Sequence, residues 1–418
     1  MVCFLHHVAL RRVVDRRVCA GAFWKHSREL FRPQFSRENI NDLDATDCAA
    51  RTLLEAVEIG FDKRTGWTSE VDMLPLFYNL TLDTSTGFLF GESVGAQKAG
   101  IHKATGQHSS DTAASSDVAQ QASSIQFGED FETLGTVLQR RILLQALYWL
   151  GDGRKFRRAI ANSHAFIERI VQDAINGLDT EKKSKKAYLL PALVTQTQDR
   201  VELRNQALAM LFAGRDTTAA LLAWCTVRLA LHTEVFAELR RAILAHFGDT
   251  GDADITFSAL KACRPLQHFI NEVLRLNTIV PFNNRVAVRN TTLPVGGGAD
   301  QKSPIAVRKG TNILYSVYVM HRRKDLWGED ALEFKPSRWE ERRATTAWQF
   351  LPFNGGPRIC LGQQYAIVET SYVLVRLLQR YQAVEAVNWE QMAKMKNGIG
   401  LAMNPADGAR VRWRRSEV

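Results

Sequence analysis

The sequence predicts a mainly α-helical protein that carries small β-sheets. Apolar residues recur at three- and four-residue spacing over most of the 418 residues, which is the pattern of amphipathic helices. Residues 283–320 differ, because short β-branched and aromatic runs there are broken by Gly and Pro. The chain is 45% hydrophobic, so it can bury a large core and is neither disordered nor fibrous. Its length suits about two to three average domains or one large helical enzyme domain.

The predicted helical segments follow one another along the chain. Gly151-Asp152-Gly153 predicts a break between two of them, and the apolar stretch after Val201 is long enough to cross the centre of a domain. The segments are residues 28–59, 126–176 and 201–248, and the stretch that follows Cys360.

Two stretches lack helical signals. Residues 95–124 are rich in Ala, Ser, Gln, Thr and His and poor in large apolar side chains, so we expect a flexible surface loop there. Residues 179–187 are strongly charged and predict a linker. Residues 1–20 form an atypical N-terminal segment whose four arginines allow a basic amphipathic helix or mimic a transit peptide.

Charge and cysteine usage argue against several classes of protein. The formal charge is +10, but the basic residues are spread along the chain, so nucleic-acid binding is not indicated. The cysteines are widely spaced with no C-x-x-C pair, which argues against a disulfide framework and a zinc ribbon. No apolar run reaches the roughly 18 residues that a membrane-spanning helix needs. The six cysteines are Cys3, Cys19, Cys48, Cys225, Cys263 and Cys360.

The most specific motif is Phe353-Asn-Gly-Gly-Pro-Arg358-Ile-Cys360-Leu-Gly362, which fits F-x-x-G-x-R-x-C-x-G and precedes a helical segment. With this motif the chain resembles the cytochrome P-450 family. In that family's fold the glycines would let the backbone approach a flat macrocycle, and the following helix N-terminus would favour a thiolate. The resemblance implies that Cys360 is the axial thiolate ligand of haem b iron and that Phe353, Arg358 and Gly362 belong to the cofactor-binding loop. A thiolate ligand pushes electron density onto iron and assists O–O cleavage.

A second motif, Ala213-Gly-Arg-Asp216-Thr217-Thr218, matches the family pattern A-G-x-[DE]-T-[TS]. Small residues at its start would let a ligand lie against the helix, and Thr217 can bond back to a carbonyl and loosen the turn. By resemblance, Asp216 and Thr217 are the catalytic acid–alcohol pair that delivers protons during dioxygen activation.

A third motif is the E-x-x-R pair Glu272 and Arg275, whose spacing puts both side chains on one helix face. By resemblance, Arg338 in the downstream Phe334-Lys-Pro-Ser-Arg338-Trp339 completes a structural network that locks the cysteine loop. The family usually has Glu where this chain has Ser337.

Four residues are candidates for holding the haem propionates. Trp24 and Arg28 fit the family's W-x-x-x-R helix, and Arg285 falls where a propionate-binding arginine is expected. Arg358 is the fourth. A guanidinium offers a planar fork that suits a carboxylate.

The likeness runs from about Gly21 to Arg412 and is closest to the fungal microsomal subfamily that hydroxylates n-alkanes and fatty acids. We interpret residues 21–418 as one haem-thiolate domain. It implies O2, a long apolar substrate, and electrons from NADPH through NADPH-cytochrome P-450 reductase. For the family, the location is the cytosolic face of the endoplasmic reticulum membrane. We expect a basic face near Cys360 to dock the reductase. Its residues are Arg322, Arg323, Lys324 and Arg358.

One departure from the family concerns the start of the chain. Family members begin with a membrane anchor and roughly a hundred residues that build an early helix and most of a sheet. This chain reaches the Trp24 helix at residue 24, so we expect a domain truncated in its N-terminal part, without an anchor, that is cytoplasmic or makes peripheral membrane contact. Two alternatives stay open: a non-catalytic haem-binding remnant, and a haem-thiolate isomerase or dehydratase. The intact Asp216–Thr217 pair argues against the second.

Overall fold

The long helix α9 (Arg200–Leu231) runs through the interior and contacts most of the other core helices. The structure is a computed structural model that describes residues 21–106, 115–176, 188–249, 255–341 and 348–416. The atypical segment 1–20 and the charged linker 179–187 lie outside the described residues. The α-helices are α1 (Gly21–Phe31), α2 (Arg37–Ile40), α3 (Asp44–Val57), α4 (Met73–Phe90), α5 (Ala96–Thr105), α6 (Ser115–Leu144), α7 (Arg154–Asn176), α8 (Leu189–Val194), α9 (Arg200–Leu231), α10 (Thr233–Phe247), α11 (Phe257–Ala262), α12 (Arg264–Leu276), α13 (Val317–Met320), α14 (Lys324–Trp327), α15 (Arg338–Glu341), α16 (Gln363–Arg380) and α17 (Trp389–Ala393).

The mainly helical prediction is confirmed, and local signals explain several helix ends. Asp199 caps α9, because its carboxylate accepts from the backbone N–H groups of Val201 and Glu202 at 2.9 and 3.2 Å. A 3-10 helix ends at Gly151 and α7 begins at Arg154, which matches the predicted break. Among the described residues, no single helix is long and apolar enough to cross a membrane; α9 and α10 meet that criterion only as a pair, bent by 112°.

The loop predicted for residues 95–124 is wrong for most of that stretch, which forms α5 and the start of α6; residues 107–114 lie outside the described part. The buried carboxylate of Asp83 accepts from the N–H groups of Ala96 and Gln97 at 2.7 and 3.0 Å. This cap comes from α4, thirteen residues upstream of Ala96, so local composition gave no sign of it. Burial raises the pKa of Asp83, and the two N–H donors oppose that rise.

The β-structure predicted within residues 283–320 is present as two antiparallel hairpin sheets. In one sheet β2 pairs with β5, and in the other β3 pairs with β4. The C-terminal part adds a three-stranded sheet in the order β1-β9-β6 and the hairpin β7–β8, which the sequence analysis did not predict. The strands are β1 (Val71–Asp72), β2 (Phe282–Val286), β3 (Thr291–Gly297), β4 (Ser303–Val307), β5 (Asn312–Ser316), β6 (Tyr381–Ala386), β7 (Asn397–Ile399), β8 (Met403–Pro405) and β9 (Arg410–Arg415).

The buried apolar residues form two clusters that meet along α9. Residues 203–212 of α9 pack with α6, α7 and α8, whereas residues 219–230 pack with α10, α12 and α16. The segment between them, residues 213–218, contains the A-G-x-D-T-T motif and belongs to neither cluster. The fold therefore places a polar motif at the junction of two apolar cores.

A buried ion-pair network fixes the chain upstream of the cysteine loop. Arg275 donates from Nε and Nη2 to the two carboxylate oxygens of Glu272 at 2.9 and 2.8 Å, and both side chains are fully buried. Arg338 donates from Nε to Glu272 at 3.3 Å, so the three residues predicted from the family network lie together. Asp330 accepts from Arg338 Nη1 at 2.7 Å, and Trp339 Nε1 donates to Glu272 at 3.0 Å.

The network also orders backbone. Arg275 donates to the carbonyl oxygens of His321 and Ala331 at 2.9 and 2.6 Å and to that of Glu333 at 3.0 Å. His321 is buried, and burial together with nearby arginines lowers its pKa to about 3, so the ring is neutral and Nε2 can accept. The N–H of Leu351 donates to that Nε2 at 2.9 Å, which connects the network to the start of the cysteine loop.

We predict that Asp83→Ala destabilises α5. The change leaves two helix-end N–H groups without their acceptor, at a cost of about 1–3 kcal/mol in the free energy of unfolding. Hydrogen exchange should show faster exchange of the amides in α5 than in wild type. Asp83→Asn keeps one oxygen acceptor and serves as the matched control; equal protection of α5 in all three proteins would contradict the assignment.

We predict that Glu272→Ala greatly reduces the yield of folded protein. Removing the carboxylate leaves Arg275 as a buried unpaired charge, which costs about 3–5 kcal/mol, a large part of a domain's net stability. Soluble yield and melting temperature are the measurements. Glu333→Ala changes an exposed acid of the same region and should leave both at the wild-type level; a normal melting temperature in Glu272→Ala would show that the pair is dispensable.

Candidate active site

The cysteine loop is closed by its own backbone. The N–H of Cys360 donates to the carbonyl of Phe353 at 3.0 Å, around a 3-10 turn at Gly356–Arg358. Gly356 has φ +71° and Asn354 has φ +64°, a region that glycine and asparagine tolerate best. The Asn354 side chain accepts from its neighbour Gly355 N–H and from the Tyr315 hydroxyl, each at 2.9 Å. The loop is therefore held in one conformation on strand β5.

The Cys360 thiol lies in a mixed electrostatic environment. Burial raises its pKa, whereas the N–H of Gly362 and the positive charge of Arg28 oppose the rise. A metal ligand must be a thiolate, so a metal ion bound to this sulfur would displace the thiol proton.

Three of the four predicted propionate residues surround this loop. The Arg358 guanidinium lies 3.9 Å from the centroid of the Trp24 ring, and that of Arg28 lies 5.9 Å from it. Arg28 donates from Nη1 to the carbonyl of Ile359 at 3.0 Å. Burial and the charges of Arg32 and Arg358 lower the pKa of Arg28. Like charges held together in this way favour an anionic group between them.

The fourth, Arg285, lies apart from that group. It is on β2, donates to the carbonyl of Asn284 at 2.8 Å, and lies 5.4 Å from the ring centroid of Tyr315. Because Tyr315 bonds to Asn354, Arg285 is connected to the cysteine loop through one intervening side chain.

The motif in α9 is only partly arranged as the sequence suggested. Thr217 Oγ1 donates to the carbonyl of Ala213 at 2.7 Å, as predicted. Asp216 pairs with Arg215, whose Nη1 lies 3.1 Å from the carboxylate. A Cβ at Gly214 would lie 2.9 Å from Ser85 Oγ, so this glycine allows α4 to approach α9 closely. Ala213 remains as the small residue of the half-buried face.

Two core helices keep uncovered surfaces that would suit a flat apolar cofactor. In α9, Met210, Ala213 and Thr217 share one face and are half-buried, although most of their neighbours are fully buried. Residues 360–367, from the cysteine into α16, are also half-buried, whereas residues 368–379 are buried. Met210 and Leu361 pack against the same apolar cluster. The residues present therefore fit haem: a thiol donor, cations for carboxylates, and small or apolar surfaces for the ring.

The predicted basic face is largely neutralised. Arg323 pairs with Asp325 at 2.6 Å, and Lys324 pairs with Glu329 at 2.7 Å. Arg322 is half-buried and lies 3.5 Å from the ring centroid of Tyr318. The structure gives Arg358 a different setting, against Trp24.

The sequence analysis missed several buried polar residues near these elements. On α16, Glu369 is fully buried and accepts from the hydroxyl of Thr84 on α4. Burial raises the pKa of Glu369 to about 7. Tyr78 and Arg215 adjoin Asp216. Only Arg215 had a sequence signal, its place inside the motif; the others are brought in by tertiary packing.

Comparison with known proteins shows the family of the chain. The chain is 41% identical over 399 residues to cytochrome P450 monooxygenase alt2 of Alternaria solani, covering 91% of this chain and 71% of the relative. It is 40% identical to cytochrome P450 52A1 of Candida tropicalis, covering 92% and 69%. It is 42% identical to cytochrome P450 52A13 of Debaryomyces hansenii, covering 94% and 73%. A sequence model of the family "Cytochrome P450" matches residues 15–409, and the chain belongs to the cytochrome P450 family of oxygen-incorporating haem-thiolate enzymes.

Proposed function

We propose that the chain inserts one oxygen atom from O2 into a C–H bond of a long-chain apolar substrate, an n-alkane or a fatty acid. The single observation that supports this best is the closed Cys360 loop that leads into α16. When bound, haem supplies the dioxygen chemistry that a thiolate ligand promotes. Cys360 would ligate the iron, with Phe353 and Gly362 in the loop beside it.

The cations of the loop would hold the propionates. Arg28 and Arg358 flank Trp24. Burial and the charges of Arg32 and Arg358 lower the pKa of Arg28, and a bound carboxylate would oppose that lowering. Arg285 would reach a second propionate from β2. These arginines orient the ring and do not take part in the chemistry.

The half-buried face of α9 is suited to an apolar substrate. Met210 and Ala213 present no charge, and the nearby Asp216 is already paired with Arg215. Thr217 holds a hydroxyl on the same face, with its proton donated to Ala213. We infer that Thr217 exchanges that bond to position a proton at the reacting oxygen, and that Asp216 relays this proton after taking it up from water.

For the electron supply we propose NADPH-cytochrome P450 reductase at the endoplasmic reticulum membrane. Its docking surface would use cations other than the paired Arg323 and Lys324. Near the start of α16, Arg37 and Lys261 flank the Phe257 ring, with guanidinium and ammonium groups 5.4 and 4.8 Å from its centroid. They line a groove of about 320 Å³ that also contains Gln364. An acidic partner suits this groove better than the neutralised face.

The two alternatives make different demands. A non-catalytic haem-binding remnant would load haem without substrate-dependent NADPH consumption. An isomerase or dehydratase would turn over without a reductase and would not need the Thr217 hydroxyl.

We predict that Cys360→Ala abolishes the red-shifted Soret band of the ferrous carbon-monoxide complex, because that band requires a thiolate ligand. The measurement is the reduced carbon-monoxide difference spectrum of purified protein. Cys48→Ala removes an exposed cysteine and should keep the band. A band that survives in Cys360→Ala would overturn the ligand assignment and, with it, the proposed function.

We predict that Thr217→Ala keeps the haem spectrum but diverts NADPH electrons to peroxide. A positioned proton donor contributes about 10²–10⁴-fold, so losing part of it should clearly lower product formed per NADPH. Thr226→Ala is the matched control, because Thr226 is buried in the same helix and makes the same kind of bond, to Leu222 at 3.1 Å. Equal coupling in the two variants would contradict the role of Thr217.

A further inference from the structure

Arg215 is an arginine enclosed in the interior beside the motif acid. Its side chain is 7% exposed, that of Asp216 is 10% exposed, and Nη1 lies 3.1 Å from Asp216 Oδ1. The guanidinium carbon lies 4.6 Å from the ring centroid of Tyr78 on α4 and 5.6 Å from that of Phe131 on α6. Cation–π contacts of this kind are stronger where water is excluded.

The backbone of Arg215 is fixed as well. Thr81 Oγ1 on α4 donates to the Arg215 carbonyl at 2.9 Å, a bond between two core helices. Arg215 Nε is buried and has no hydrogen-bond partner among the described residues, which fits an ordered water next to the pair. Lysine has no planar fork and could not make the same set of contacts.

The charges around Asp216 come from three helices. Burial raises the pKa of Asp216, Arg215 on α9 opposes that rise, and Glu132 on α6 adds to it. Tyr78 on α4 is uncharged, because burial and the charge of Asp216 raise its pKa to about 12. Arg215 is the cation whose charge opposes the effect of burial on the Asp216 carboxylate. The side chain of Glu132 is exposed.

We propose that Arg215 is a positioning residue that holds the Asp216 carboxylate ionised and turned away from Thr217 in the resting protein. In this state Asp216 is in an ion pair with Arg215, and Thr217 donates a separate hydrogen bond to the carbonyl of Ala213. To pass a proton to Thr217, Asp216 must leave the guanidinium and take up a proton from water, while the aromatic rings hold the guanidinium in place. The role in catalysis rests on the proposed function, but the ion pair itself does not.

The first test needs neither haem nor turnover. Infrared difference spectra at neutral pH between wild type and Asp216→Asn should show no carbonyl band of a protonated carboxyl, because Asp216 is ionised. Glu369, whose pKa is about 7, contributes equally to both proteins and cancels. The difference between Arg215→Gln and Arg215→Gln/Asp216→Asn should show that band, because burial then acts unopposed. A band in the wild-type difference, or none in the Arg215→Gln difference, overturns the proposal.

The second test measures product formed per NADPH against pH. Wild type should give a flat profile around neutral pH, whereas Arg215→Gln should gain a titration step that Arg215→Gln/Asp216→Asn lacks. Arg215→Lys keeps the charge without the fork and should lose coupling without gaining the step. If the red-shifted carbon-monoxide band survives in Cys360→Ala, the proposed function fails while the infrared result still decides the ion pair. Identical profiles in wild type and Arg215→Gln overturn the positioning role.

Discussion

The rest of the site depends on the hydrogen bonds that the buried Arg275 guanidinium makes. It bonds both oxygens of Glu272 and the carbonyls of three residues between positions 321 and 333, so one buried cation orders a segment with little regular structure. His321 is the first residue of that segment, and its neutral ring accepts a hydrogen bond from the backbone N–H of Leu351. The cysteine loop follows directly. A buried ion pair contributes little net stability, but it penalises any arrangement that separates its members, and here that penalty protects the loop geometry.

The position of the motif in α9 follows from the two-cluster core. A helix of 32 residues passes from one apolar cluster into the other, and polar groups are tolerated best where neither cluster closes over it. Here Thr217 donates a hydrogen bond to a carbonyl of its own helix, and Asp216 forms an ion pair with Arg215. The same gap leaves Ala213 and Thr217 half-buried, one turn from the half-buried Met210. The surface suited to a substrate therefore lies beside the groups suited to proton transfer.

Sequence patterns predicted those features that depend on spacing along one element. The break before α7, the start of α16 after the cysteine, and the shared helix face of Glu272 and Arg275 are of this kind. Contacts between distant elements left no such trace. The cap that Asp83 gives α5 overrode the loop-like composition of residues 96–105. Strands β6 and β9 were missed because their partners lie far apart in sequence. The basic face was expected from a run of cations, yet acids two to five residues away, Asp325 and Glu329, neutralise two of them.

Asp216 and Glu369 are both buried near the site, but within the described part of the chain only Asp216 is paired with a cation. Asp216 has a guanidinium partner, so burial is opposed by a charge, whereas Glu369 has only the Thr84 hydroxyl and its pKa rises to about 7. A carboxyl with a raised pKa binds a proton more tightly in the folded chain than in the unfolded one, so its contribution to stability is full below about pH 4.5 and is lost as the pH rises towards 7. Glu369 therefore stabilises α16 against α4 best when it is neutral. Asp216 must remain able to carry charge, and Arg215 is what makes that possible in an apolar interior.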